Sequence, residues 1–547
     1  MKLVIVGGVA GGASAAARAR RLSEAAEIIV VERGPDVSFA NCGLPYYIGG
    51  QIAERAKLLV VSPEQLRARL RLDIRSQSSV EKIDRAGKSV RIRDLQTDRV
   101  YDEAYDKLIL APGAAPLRPA IAGIDLPGVF TLRNLQGMDR IKAAVDRGAK
   151  EAVIVGAGFI GLELVENLVQ RGVQTTVVEL QDQVMPPLDK EMTSPIVAAL
   201  EAHGVTLVLQ DSAEAIEQSA AGLTVKLKSG RTLSAGLVVL GVGVRPENRL
   251  AVEAGLETGP RGGIRVDEHL QTSDPDIFAV GDAIETRDAV SGDPVQVPLA
   301  GPANRQGRIA ADNVFGRSSK FRGTQGTAIV GVFDRVAALT GATEKGLLRS
   351  GRAYRTVTIH PAHHAGYYPG AEGMTLKITF DSDGGRVLGA QGVGGAGVDK
   401  RIDVLAMAIQ AGMTVYDLEQ AELAYAPQFG SAKDPVNMAG FVAAGMLRGD
   451  HPQIDVPGLA GLPAAERTLL DVRTTKEFAA GHVPGAVNIP VDELRERLGE
   501  VPRDRQVVAY CQVGMRGYLA TRILKQAGYD VRNLSGGYKS YRMFNPE

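Results

Sequence analysis

The chain has 547 residues, a hydrophobic fraction of 45%, 64 glycines and no tryptophan, a globular balance too long for one core that predicts several domains. Lys+Arg and Asp+Glu stand at 63 each, which gives no electrostatic case for nucleic acid or an anionic membrane surface. Two cysteines, Cys42 and Cys511, exclude a disulfide framework and point to a reducing cytoplasm, and no apolar run approaches the length of a membrane span.

The apolar start after Lys2 does not read as a secretion signal. Gly7, Gly8, Gly11 and Gly12 interrupt it, and Arg18, Arg20 and Arg21 follow. Lys2–Val6 reads instead as a buried strand, followed by a Gly-rich turn, an Ala-rich helix and a second strand over 28–31 that ends in Glu32. The turn Gly7-Gly8-Val9-Ala10-Gly11-Gly12 departs from the dinucleotide fingerprint, because Val9 stands where the middle glycine is usual. Glu32 at the end of the second strand restores much of the pattern. The unit recurs with strands over 152–155 and 175–178. Gly156-Ala-Gly158-Phe159-Ile160-Gly161 lies between them, and Glu179 closes the second strand. Here the fingerprint is complete. Glycines let the backbone approach a pyrophosphate, and the helix N-terminus offers N–H donors and a positive dipole. Glu179 accepts from both ribose hydroxyls and repels a 2′-phosphate. Leu180 and Gln181 follow it with no arginine, so NADH is preferred and NADPH is the alternative.

The first fold resumes near Gly262, with 277–283 as another of its pieces, so the second is inserted within it. The stretch Thr272–Ala283 ends in Gly-Asp, which offers Asp282 to a flavin ribityl or pyrophosphate group. Together with Leu108–Ala114, this set resembles the two-dinucleotide flavoprotein disulfide reductases. The resemblance assigns FAD to the first fold, with Gly7, Ala10, Gly11, Gly12, Glu32, Arg33, Asn41, Pro112, Asp282 and Ala300 as its site. It assigns the pyridine nucleotide to Gly156, Gly158, Phe159, Ile160, Gly161, Glu163, Glu179 and Gly243.

Cys42 lies in Val37-Ser-Phe-Ala-Asn-Cys-Gly-Leu-Pro-Tyr-Tyr47. Disulfide reductases of this kind usually carry C-x-x-x-x-C, but positions 37 and 47 are Val and Tyr. A two-electron thiol cycle needs a second sulfur, from another molecule or as a sulfenic acid. SFANCGLPY resembles the single-cysteine branch: coenzyme A disulfide reductase, NADH oxidase and peroxidase, and persulfide reductase. In its coenzyme A members the cysteine rests as a mixed disulfide with coenzyme A. Ser14, Arg18 and Arg21 stand at i, i+4 and i+7 and so share a helix face. The resemblance places that face, with Ser38 and Asn41, beside coenzyme A.

Residues 324–447 have a different texture, strand-like stretches with a helix over 401–410, and predict an α+β domain. Its HHAGYYPGA and LAYAP segments resemble the dimerisation domain of coenzyme A disulfide reductases. That resemblance implies a homodimer and brings two tyrosines to the partner subunit's active site, Tyr367 (with Tyr368 competing) and Tyr425. His360, His363 and His364 have poor ligand spacing, and no metal is expected. Residues 448–465 are rich in Pro and Gly and predict a linker.

From Thr468 a new α/β unit begins. Leu469-Leu-Asp471-Val-Arg473, Gly481-His-Val-Pro-Gly-Ala and Cys511-Gln-Val-Gly-Met-Arg516 closely resemble the rhodanese domain. A cysteine between the strand 506–510 and a helix expected from about Tyr518 sits among inward N–H groups that stabilise a persulfide anion, with Arg516 adding a cation. The C-x-x-x-x-R loop resembles the sulfur-carrying form. Asp471 and Arg473 are expected to hold the loop and the fold.

The expected class is α/β, with two dinucleotide-binding Rossmann-like domains, an α+β dimerisation domain and a C-terminal α/β rhodanese domain. An FAD domain spans 1–112 and 246–323, an NAD domain 113–245, a dimerisation domain 324–447 and a rhodanese domain 466–547. The resemblance implies a cytoplasmic NADH-dependent flavoprotein reductase of coenzyme A persulfide, polysulfide or related sulfane sulfur, with Cys511 as sulfur carrier. Coenzyme A disulfide reduction or NADH oxidation is the alternative within that architecture. A sulfur-trafficking carrier with a regulatory flavin module is the alternative of another class.

Overall fold

The computed structural model describes residues 1–219 and 222–546. It divides into two compact units, Met1–Val184 with His203–Gly326, and Met185–Ala202 with the chain from Thr327 onward. Among the described residues no helix is long and apolar enough to cross a membrane.

The first unit contains two five-stranded parallel sheets. One runs in the order Ile277–Ala279, Lys107–Leu110, Lys2–Val6, Glu27–Val31, Asp73–Arg75. Leu3 pairs with Ile28 on one side and Lys107 on the other. The strands are short apolar runs because both faces are covered, as parallel sheets require, and Leu3, Ile5, Ile29, Ile109 and Ile277 are all fully buried. The other sheet runs Thr206–Leu209, Gln174–Glu179, Glu151–Val155, Leu237–Leu240, Val129–Thr131. The strand Ile277–Ala279 completes the first sheet from beyond the second, so the second fold is inserted in the first. The helix Ala10–Leu22 packs on Ala300–Val314 through small residues. A Cβ on Gly307 would lie 2.2 Å from the Gly11 carbonyl oxygen.

The second unit contains an antiparallel five-stranded sheet, ordered Ala328–Val332, Arg335–Gly341, Val387–Gly394, Met374–Asp381, Tyr354–Ile359. Val398–Ala411 and Pro435–Leu447 are its principal helices. The segment Met185–Ala202, expected within the NAD domain, belongs to this unit. Buried Lys377 binds it there, its Nζ 2.9 Å from Asp189 and 2.5 Å from both Glu191 and Glu344. Asp189 also accepts from the Gln391 side chain and the Glu344 and Lys345 N–H groups, so removing Lys377 would leave buried carboxylates without their counter-charge.

The C-terminal sheet is parallel and also five-stranded, in the order Gln453–Ile454, Val531–Leu534, Gln506–Tyr510, Arg467–Asp471, Val487–Asn488. Its first strand corrects the expectation of a linker over 448–465. Gln453–Ile454 pairs with Asn533 and Leu534. Val456–Gly461 is a helix capped by Asp455, and Ile454, Val456 and Leu459 are buried beside Tyr510 and Leu534. Pro457 sits in the first helical turn, where the missing N–H costs nothing. The sheet's last helix, Gly537–Phe544, faces the antiparallel sheet through Ser540 Oγ, 2.9 Å from His360 Nε2.

Candidate active site

The two Gly-rich turns are built alike. Gly7 and Gly156 have φ of +98° and +106°, conformations that a side chain disfavours. Neither following helix, Ala10–Leu22 after Val9 or Phe159–Gln170 after Gly158, has a side chain capping its N-terminus. A Cβ on Gly158 would meet nothing within 4 Å, so the open N-terminus is approachable by a pyrophosphate. Glu32 accepts from the N–H groups of Gly8 at 2.8 Å and Gly34 at 2.7 Å. Glu179 accepts from Ala157 at 2.8 Å and Gln181 at 2.9 Å. Each acid therefore braces its turn, and its second lone pairs are what remains for a ribose. Ile160 is 40% exposed on the second helix.

Asp282 lies in the short helix Gly281–Ala283 and makes no hydrogen bond within the described residues. Burial pushes its carboxyl up, opposed by Arg133. A half-buried carboxylate without a hydrogen-bond donor among the described residues fits a ribityl hydroxyl. Arg133 also donates to the Pro112 carbonyl at 3.4 Å. Ala300 opens the helix after this region, and Gly243 has φ +107°. Arg33 is tied to Glu247 at 3.0 Å. These residues fit a dinucleotide at each turn.

Cys42 is exposed, in the short helix Asn41–Gly43 that leads into Leu44–Gly49. Burial of part of its surroundings raises its thiol, and Glu163 and Asp282 raise it further by charge. Leu44–Gly49 rests on Phe159–Gln170, where Arg171 donates to the Ile48 carbonyl at 3.0 Å. Tyr46 Oη donates to Glu163 Oε1 at 3.4 Å. Burial pushes the Glu163 carboxyl up to about 7, against that hydrogen bond. Thus Glu163, expected only as part of the nucleotide site, also faces the sulfur. Ser38 holds a left-handed φ of +50°. Its N–H donates to the Gly8 carbonyl at 2.9 Å, which ties the cysteine loop to the first turn.

The basic stripe differs from expectation. Arg18 is paired with Asp312 at 2.7 Å, and Ser14 Oγ donates to Asn304 Oδ1 at 2.5 Å. Of the three, Arg21 alone is exposed without such a partner.

In the second unit, Tyr367 and Tyr425 are 76% and 49% exposed and their hydroxyls are 2.9 Å apart. Tyr368 instead packs edge-on against His364. The His363 and His364 ring centroids are 4.1 Å apart, but the three histidines bond to different partners. His360 lies between Thr375 and Ser540, His363 bonds Glu372, and His364 bonds the Ala365 carbonyl.

Cys511 directly follows the strand Gln506–Tyr510 and is 1% exposed. The Gly514 N–H donates to its Sγ at 3.1 Å. The next helix starts at Met515, not Tyr518, because Gly514 with φ +112° turns the loop directly into it. Arg473 forks onto Asp471 at 2.7 Å and reaches the Gln512 side chain at 3.1 Å. Arg516 is forked onto Glu477, at 2.7 and 2.6 Å.

Residues 1–307 match the pyridine nucleotide-disulphide oxidoreductase family, 327–435 its dimerisation domain and 459–543 the rhodanese-like domain. The chain belongs to the pyridine nucleotide-disulphide oxidoreductase family. It is a flavin-dependent oxidoreductase with a C-terminal rhodanese domain. The solved Bacillus anthracis CoADR-RHD, in reduced form, is 49% identical, with TM-score 0.98 over 100% of this chain and 98% of that one. A NAD-dependent persulfide reductase from A. fulgidus is 38% identical, with TM-score 0.92 over 99% of this chain and 100% of that one. Coenzyme A disulfide reductase of Staphylococcus haemolyticus is 35% identical over 444 residues, 81% of this chain and 99% of that protein.

Three contributors to these sites escape sequence reasoning in the oxidoreductase: Tyr46 beside Glu163, Arg133 beside Asp282, and Glu477 on Arg516. Tyr46 carries a signal, since it lies in the cysteine segment. Glu477 carries one too, since it lies in the segment that resembles the rhodanese domain, whereas Arg133 is set by a tertiary contact that no local spacing announces.

Proposed function

We propose that the chain reduces coenzyme A persulfide with NADH and releases hydrosulfide. The observation that carries this reading is that both cysteines are free and each occupies a built sulfur site, one exposed at the flavin fold and one in a rhodanese loop. The likeness to the solved CoADR-RHD and NAD-dependent persulfide reductase supports it.

The first turn would hold FAD and the second NADH, and the flavin when bound would supply two-electron transfer from NADH to the sulfur centre. Cys42 rests as a mixed disulfide with coenzyme A. Two electrons and a proton split it into Cys42 thiolate and coenzyme A thiol. The thiolate attacks the coenzyme A sulfur of a persulfide, which re-forms the mixed disulfide and expels hydrosulfide with the bonding electron pair. Near-neutral Glu163 and hydroxyl-bonded Tyr46 are the protic groups of that unit beside the thiol. Tyr367 and Tyr425, an exposed phenol pair, serve a second subunit's leaving sulfur in a homodimer. Ser14, Ser38, Asn41 and Arg21 form the coenzyme A handle, with Arg18 positioned through Asp312. Cys511 supplies sulfane sulfur, to coenzyme A or to Cys42.

The test compares Cys42→Ser with Cys511→Ser under anaerobic NADH oxidation with coenzyme A persulfide. The first loses turnover and the second keeps it. Equal loss in both contradicts the division of labour.

A further inference from the structure

The geometry points to Glu477 as the residue that sets which donor charges Cys511, favouring a hydropersulfide at the end of an uncharged thiol arm over dianionic thiosulfate. This rests on the reading of Cys511 as a sulfur acceptor and names its donor class.

Between Cys511 and Arg516 the loop offers Gln512, Val513, Gly514 and Met515, with no charge among them. Val513 and Met515 are 40% and 53% exposed, so the loop's own surface is apolar. Arg516 is the loop's one cation, and Glu477 neutralises it through both guanidinium nitrogens, at 2.7 and 2.6 Å. Glu477 does not swing free of that duty. Its Oε2 also accepts from the Thr474 N–H at 3.0 Å and the Thr474 hydroxyl at 2.9 Å. Arg516 holds the Glu477 carboxyl down to about 2, so the acid is ionised throughout the physiological range.

Of the other cations near the loop, Arg473 is paired and Lys539 points its ammonium elsewhere. Arg473 is forked onto fully buried Asp471. Lys539 gives its backbone N–H to the Gln512 carbonyl, while its ammonium lies 4.0 Å from where a Cβ on Gly373 would stand, against the antiparallel sheet. On the loop itself, among the described residues, a donor approaching Cys511 therefore meets no cation that lacks a carboxylate partner. Fork geometry on a carboxylate is the same geometry Arg516 would need for a sulfonate, so Glu477 occupies the place of the anionic donor's head.

The transfer balances without a further reactant. Cys511 thiolate attacks the terminal sulfur of R–S–SH, and a bond forms between Sγ and that sulfur, which keeps its proton. The donor's S–S bond breaks, and R–S⁻ leaves with the electron pair. With thiosulfate the leaving group is sulfite, a dianion that the paired Arg516 is poorly placed to stabilise.

The experiment uses the full chain without NADH, and reads by mass the gain of one sulfur atom on the Cys511 peptide against time. The donors are thiosulfate and pantetheine hydropersulfide, whose only ionisable group is its sulfur. The native chain loads faster from pantetheine hydropersulfide, by about tenfold or more. Glu477→Gln, which retains an acceptor for Thr474, raises the thiosulfate rate about fivefold relative to the hydropersulfide rate, the size of one half-exposed ion pair. Val513→Lys, which leaves Glu477 in place, shifts the ratio the same way. A native chain that loads equally well from thiosulfate overturns the proposal. So does a donor ratio that neither variant moves, or a Cys511 that loads from neither donor. NADH oxidation by Cys511→Ser with coenzyme A persulfide, measured alongside, reads the proposed reductase independently of all these outcomes.

Discussion

The two cysteines solve opposite problems. Cys42 is exposed, and its unit surrounds it with acids: Glu163 and Asp282 both oppose its thiolate. Cys511 is almost wholly buried, and its unit surrounds it with donors and paired charges: a backbone N–H at 3.1 Å and Arg516 held by Glu477. A sulfur whose anion is disfavoured is suited to rest as a disulfide and to become a thiolate only when reduced. A sulfur in an N–H cradle is suited to hold an anion or persulfide that must not leak. The difference teaches that nucleophilic sulfur can be governed either by redox state or by enclosure, and that one chain uses both.

The sharpest break in that comparison is at the sulfurs themselves. Cys42→Ser lowers NADH-dependent persulfide turnover by at least about 10³-fold, since the nucleophile has no substitute. Cys511→Ser leaves that rate within a factor of about two and abolishes sulfur loading in the C-terminal domain. Next comes the enclosure. Asp471→Ala strands Arg473, which is 2% exposed, and costs the C-terminal domain about 3–5 kcal/mol in denaturant unfolding. Loss of this domain's fold with unchanged NADH turnover on coenzyme A persulfide confirms that the two sites are separable. The double variant Tyr367→Phe, Tyr425→Phe removes the phenol pair and lowers turnover by about 10²-fold, the scale of a lost general acid.

The smallest effect is on pH. Glu163 titrates at about 7, so as pH rises through neutrality it gains a negative charge facing Cys42 and opposes thiolate formation. Glu163→Gln removes this charge, as well as the proton. Alkylation of the reduced Cys42 then proceeds at lower pH than in the native chain, by less than about one pH unit. A shift to higher pH sinks this account of the cluster.

Much of the frame was legible because parallel strands write themselves as short apolar runs. Lys2–Val6 and Gln506–Tyr510 have the bounds that their sequences announce. The two dinucleotide turns were legible because their positive φ at Gly7 and Gly156 favours glycine. What local pattern hides is longer-range exchange. The Pro- and Gly-rich stretch around Val456 disguises a strand too short to show alternation and a single turn of helix, and its burial depends on Leu534 and Tyr510 far along the chain. Arg18 looks free for a phosphate until Asp312 arrives from another helix. The segment Met185–Ala202 changes unit through Lys377, an ion cluster whose members are scattered over the sequence. In each case the deciding partner lies too far away for spacing to reveal it.

The central claim is tested most directly by anaerobic NADH oxidation with coenzyme A persulfide and coenzyme A disulfide side by side, with hydrosulfide release followed in the same cuvette. The account predicts faster turnover with the persulfide and one hydrosulfide released per NADH consumed. Preference for the disulfide, with no hydrosulfide formed from the persulfide, would contradict it and leave Cys511 outside the reaction that Cys42 performs.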